Sequence, residues 1–115
     1  MKYMFMIFGS EAGKQAASKA DMEQMFAAYG AYTNAMKQAG VMVAGDPLQS
    51  VSTATTVRVA KGKTEVLNGP YAETKEQLGG YYIVDVPDLD AALSWAARCP
   101  GASAGAIEVR PLMAM

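Results

Sequence analysis

The segment Asn68-Gly69-Pro70-Tyr71-Ala72-Glu73-Thr74-Lys75-Glu76-Gln77-Leu78-Gly79-Gly80-Tyr81 gathers the groups of this 115-residue chain that are best suited to chemistry. Two carboxylates, Glu73 and Glu76, flank the amine of Lys75 between two glycine-containing breaks, with Tyr71 and Tyr81 beside them. Loops held by a rigid scaffold commonly deliver such groups into a pocket. Glu73 would serve as an acid–base group if burial raised its pKa. Lys75 would serve as an anion anchor, or as a nucleophile if desolvated. Tyr71 and Tyr81 offer hydroxyls for hydrogen bonding. The same residues also read as a solvated connector whose charges keep it in water, and spacing alone does not separate the two readings.

Composition narrows the chemistry further. With no histidine, the chain has no Ser-His or Cys-His nucleophile pair, no imidazole acid–base group and no histidine metal ligand. A single cysteine, Cys99, excludes an intrachain disulfide and a cysteine-rich zinc site. Cys99 falls at a helix C-terminus, where the helix dipole opposes a thiolate, so it reads as structural. Asp85, Asp88 and Asp90 lie close in sequence but lack the calcium-loop pattern, and Asp88 is placed to cap a helix. Gly79-Gly80 sits in no phosphate-binding motif and reads as room for close strand packing. Arg58 and Arg110 interrupt apolar strands and read as paired or exposed. Neither a cofactor nor a metal is expected. Ten basic against 11 acidic residues give a net charge of -1, which excludes a broad electrostatic nucleic-acid binder. The apolar run after Met1 is too short for a signal peptide or a membrane span, so a cytoplasmic protein is expected.

These groups need a scaffold, and the hydrophobic pattern supplies one. Apolar residues make up 51% of the chain, enough for one folded domain over residues 1–115. Tyr3 to Phe8 is apolar on both alternating faces, as expected of a central strand covered on both sides. Ser18 caps a helix predicted over Lys19 to Ala39, with Asp21 three positions on and Gly40 as its stop. Met22, Met25, Phe26, Tyr29, Tyr32 (or Thr33) and Met36 share one helix face. That stripe is expected to be a core face, against the alternative of an adaptable binding groove.

A short strand follows at Val41 to Ala44, then a hairpin pairing Thr55–Ala60 with Thr64–Leu67. Residues 72–78 are too short and too polar to read as a helix. Tyr81 to Val86 is the next strand, and Asp88 caps a second helix over Leu89 to Arg98. The buried face of that helix should hold Leu89, Ala92, Leu93, Ala96 and Trp95. Ala106 to Arg110 closes the series. With the hairpin removed, the order is a split β-α-β, or ferredoxin-like, α+β unit. Such a unit leaves one sheet face bare. An apolar bare face implies a homodimer whose two sheets face each other as a dimeric α/β barrel.

The Asn68–Asp90 stretch resembles the signature of the DGPF branch of the YCII-related proteins. Ala91-Ala-Leu-Ser-Trp-Ala-Ala-Arg-Cys-Pro-Gly and Ile107-Glu-Val-Arg-Pro-Leu are similar to that family's second helix and last strand, so the resemblance runs from Met1 to about Met113. It implies the same dimeric α/β barrel. Asn68 stands where the family usually has aspartate, and Tyr71 where it usually has phenylalanine. Asn68 keeps turn geometry but loses charge and proton chemistry. The His-Asp pair of broader relatives is not inherited here. The resemblance also implies an accessory role beside an extracytoplasmic-function sigma factor.

Two functions are carried forward. The first is a binding or regulatory module with Asn68, Tyr71, Lys75 and Tyr81 around a small molecule. The second is a small lyase or isomerase with Glu73 as its acid–base group.

Overall fold

The computed structural model describes residues 1–115. The doubly apolar opening run forms strand β1 (Lys2–Gly9). Next come α1 (Glu11–Gln15), α2 (Lys19–Gln38), β2 (Met42–Pro47), a 3₁₀ turn at Val51–Thr53, and the hairpin strands β3 (Thr55–Ala60) and β4 (Lys63–Asn68). β5 (Gln77–Asp85), α3 (Leu89–Arg98), α4 (Gly101–Ala104) and β6 (Ala106–Pro111) complete the chain. The main sheet runs β2-β5-β1-β6 with every neighbouring pair antiparallel, and β3-β4 forms a separate two-stranded ribbon. This is the ferredoxin-like order with an inserted hairpin.

The predicted caps are present. The Ser18 hydroxyl accepts the Asp21 N–H at 3.1 Å, and the Asp88 carboxylate accepts the Ala91 N–H at 2.9 Å. Each satisfies an amide that the helix itself leaves unpaired. Gly40, at φ 72°, ends α2 in the left-handed conformation that glycine adopts at no steric cost.

Register sorts the sheet residues. Tyr3 opposes Val84 and Phe5 opposes Tyr82 on the face toward the helices. Phe5, Val84 and Met36 are fully buried there, each worth about 2 kcal/mol of apolar transfer. Tyr32 meets Tyr82 edge-on, with ring centroids 5.5 Å apart and planes at 84°, and its hydroxyl donates to the Trp95 carbonyl at 2.8 Å. The lone tryptophan thereby ties α2 to α3. Its outer face carries the Arg98 guanidinium, 4.2 Å from the ring centroid. On the opposite, uncovered face Met4 opposes Ile83 and Met6 opposes Tyr81.

The elements depart from expectation in four ways. The methionine stripe is not a core face: only Tyr32 and Met36 of α2 are buried, while Met22, Met25 and Phe26 are 45%, 38% and 71% exposed. α2 packs through its C-terminal half and lifts away from the sheet at its start. α3 packs through Ala92 and Ala96, so Leu89 and Leu93 stay exposed, because small residues allow the closer approach. β2 runs on through Gly45-Asp46-Pro47, and β5 starts at Gln77, taking in Gly79-Gly80. Glycine suits the close strand approach there: a Cβ on Gly80 would lie a tight 3.1 Å from the Asp46 carbonyl oxygen and 3.3 Å from Pro47 Cα. Finally, α1 and α4 are single turns that carry no apolar periodicity for a sequence to reveal.

Candidate functional site

Because α2 is packed through its C-terminal half and lifted at its start, a cleft of about 880 Å³ opens between it and the sheet. That volume is in the range of small-molecule sites, about 300–1,000 Å³. The sheet side is shallow because Gly45, Gly79 and Gly80 contribute no side chains. Met22, Met25 and Phe26 form the helix wall, and Tyr29, Thr33 and Tyr82 the interior. The closed end is a clamp in which the Thr33 and Tyr82 hydroxyls share a hydrogen bond of 2.8 Å. At the other end, the Lys14 ammonium lies 3.1 Å from where a Cβ on Gly79 would stand.

Charge is distributed unevenly. Four ionic residues border the cleft, Lys14, Asp21, Lys37 and Asp46, and all four are exposed; the Asp46 carboxylate faces Tyr81 instead. The interior polar groups are neutral hydroxyls. Desolvation by burial pushes the Tyr82 phenol above its ordinary value, partly offset by the Thr33 hydrogen bond. Burial, assisted by the neighbouring Cys99, pushes Tyr29 up further. The buried Cys99 thiol is itself raised by desolvation and points its Sγ at the Tyr29 hydroxyl, 3.8 Å away. Near neutral pH these phenols keep their protons and act as hydrogen-bonding groups rather than as bases.

The model of the YCII-related domain matches residues 1–115. The chain belongs to that family. It is 37% identical over 114 residues to an uncharacterized protein of Rhizobium meliloti, covering 97% of this chain and 92% of that protein. Among solved structures it is similar to 5-chloro-2-hydroxyhydroquinone dehydrochlorinase from Burkholderia phenoliruptrix in complex with 2,5-dihydroxybenzoquinone. That match has a TM-score of 0.57 and 17% identity, and covers 98% of this chain and 94% of that one. At that identity the likeness shows a shared fold.

Within this YCII-related chain, the residues singled out by sequence are spread apart. Asn68 ends the hairpin, and Tyr71 is 76% exposed with its ring 5.0 Å under the Arg58 guanidinium. Glu73 and Lys75 are exposed on the connector before β5, and neither lines the cleft. The connector is held by local bonds: the Thr74 hydroxyl donates to the Glu76 carbonyl, and the Gln77 amide donates to the Thr74 carbonyl. Tyr81 does border the cleft, but its hydroxyl turns to the uncovered sheet face and donates to Asp46 at 2.8 Å. That bond raises its pKa, since ionising the phenol would set two negative charges together. Asp85 meets the chain's amino group at 3.2 Å, and Arg110 meets Glu108 at 4.0 Å.

Sequence reasoning missed Lys14, Tyr29, Thr33 and Tyr82 as site residues. Their signal was indirect. A bulky methionine and aromatic stripe that comes to face glycine-rich strands cannot fill the space between them, so its first half borders an open cleft instead of a packed core.

Proposed function

We propose that this YCII-related protein works as a homodimer and binds a flat, mostly apolar small molecule bearing hydroxyl or carbonyl oxygens. The site is the cleft between α2 and the sheet, and the role is that of a binding or accessory module. The observation that carries this reading is the neutral interior: Tyr29, Tyr82 and Thr33 present uncharged hydroxyls inside an apolar wall, while every ionic residue bordering the cleft is exposed. Such a site favours a ring with a few polar substituents over a strongly charged metabolite. Its half-open helix wall, built from flexible methionines, can close over ligands of different outline.

Binding is tested by isothermal titration with hydroxylated benzoquinones and simple phenols. Saturable binding that weakens about tenfold in Tyr82→Phe is expected. The reading fails if these probes neither release heat nor raise the melting temperature. The accessory role includes an extracytoplasmic-function sigma factor as partner, and co-purification of the two from cells tests that part separately.

A second reading, a small lyase or isomerase, draws on the shared fold with a dehydrochlorinase solved with a dihydroxybenzoquinone. It predicts chloride release from a chlorinated hydroxyhydroquinone, abolished by Glu73→Gln if Glu73 is the acid–base group. Binding without any chloride release favours the first reading.

A further inference from the structure

The β3–β4 arm has a division of residues that the isolated chain does not use. Register pairs Thr55 with Asn68, Val57 with Val66 and Val59 with Thr64, so these six share one face. None is charged. The other face takes Thr56, Arg58, Ala60, Lys63, Glu65 and Leu67, and so holds all three charges of the two strands. A face of three valines without a charge, opposite a face that holds every charge, is the pattern of a sheet that packs on something. Here the uncharged face packs on nothing: Val57, Val59 and Val66 are 59%, 68% and 61% exposed. A lone two-stranded hairpin is marginal in water, so the arm needs a cover.

The dimensions point to the occupant. The radius of gyration is 16.1 Å, against about 13 Å for a close-packed chain of this length. The extents are 47 × 43 × 18 Å. Eighteen ångströms is filled by one sheet and one helix layer stacked about 10 Å apart. The arm therefore extends sideways, beside the open sheet face rather than standing off it. The accessible surface is 8078 Å², where a monomeric protein of this mass exposes about 6000 Å². The open sheet face has a planar outline of only about 450 Å² (four strands about 4.8 Å apart, about seven residues long on average). A stable interface takes about 800 Å² from each partner.

We propose that the uncharged face of the β3–β4 arm closes against a second copy of this chain, each arm reaching past its own sheet to flank the partner. The arm is then the second half of the dimer interface, and it supplies the area that the sheet face lacks. This rests on the homodimer reading above.

The test measures the dimer constant by sedimentation and arm protection by hydrogen exchange on the full chain. Val57→Thr with Val66→Thr keeps β-branched residues in the strands and removes the apolar contact. It is expected to weaken the dimer at least about tenfold. Arg58→Ser, on the charged face, should leave the constant within about threefold. Arm amides should be protected in the wild-type dimer and lose protection on dilution to monomer. A wild-type monomer at micromolar concentration would sink the homodimer reading itself. A dimer unmoved by the double substitution, with arm amides exchanging freely, overturns the arm alone. Protection that arises only on adding cell lysate would give the arm to a different protein and also overturns it.

Discussion

Replacing Gly45 with alanine tests whether the Tyr82 clamp sets the closed end of the cleft. The new Cβ would stand 2.4 Å and 2.9 Å from Tyr82 Cδ1 and Cε1, and 3.1 Å from the Tyr81 carbonyl oxygen. The strand backbone cannot retreat without breaking the β2–β5 ladder, so the ring must move by about 1 Å to regain contact distance. Movement strains the 2.8 Å bond to Thr33 and the edge-on packing on Tyr32. Losing the hydrogen bond costs about 1 kcal/mol and losing the aromatic geometry about 0.5–1.5. With overpacking, and allowing partial relaxation, the total is about 2–4 kcal/mol.

For a chain of 115 residues, the unfolding entropy is about 240 cal/mol/K at the midpoint, so each kcal/mol moves Tm by about 4 °C. Calorimetry should therefore record a fall of about 8–16 °C. The cycle with Tyr82→Val isolates the cause. Valine has no atom at the clash position, so Gly45→Ala in that background should cost less than about 0.5 kcal/mol. An unchanged Tm in the single variant, or an equal loss in both backgrounds, would refute the clamp.

Three further outcomes are expected. Met6→Lys sets an ammonium at the centre of the uncovered sheet face, and sedimentation should show the proposed dimer weakened at least about 100-fold; an unchanged dimer would place the interface elsewhere. Burial raises the phenols of Tyr29 and Tyr32, so the unfolded chain loses those protons first as pH rises. The stability they protect is whole below about pH 10 and is lost above it; Tm should fall on that alkaline side, less steeply in Tyr29→Phe, and a flat profile to pH 11.5 would contradict the burial. Glu73 is exposed outside the cleft, so Glu73→Gln should leave Tm within about 2 °C and ligand affinity unchanged; a tenfold loss of affinity would return Glu73 to the site.

The order of the strands and of the two long helices was legible because each carried a local signal, whereas the short α1 and α4 carried none. Ser18 and Asp88 capped their helices, Gly40 stopped α2, and the doubly apolar Tyr3–Phe8 run became an inner strand. The candidate site was legible only as an alternative. Periodicity tells which α2 residues share a face, but not how far that face stands from the sheet. That distance depends on glycines in strands remote in sequence and on the clamp between Thr33 and Tyr82. The connector from Asn68 to Glu76 drew attention through its concentration of charge. Charge is also what an exposed loop requires, so composition alone could not tell the two apart.

The indole of Trp95 gives the molecule an optical consequence. It is the one tryptophan in the chain, and its carbonyl holds the Tyr32 hydroxyl, toward the packed end of α2. The cleft runs along α2 from Asp21 to Lys37 and is widest open where Met22 and Phe26 stand exposed, and Trp95 is not among its lining residues. A ligand there lies outside the indole's immediate surroundings, so emission should stay constant if the helix wall alone adjusts. A shifted emission maximum on binding a simple phenol, which does not absorb the indole's emission, would mean that α2 moves as a rigid rod, levering its far end against α3. Steady-state fluorescence, with no label attached, thus distinguishes a yielding wall from a pivoting helix.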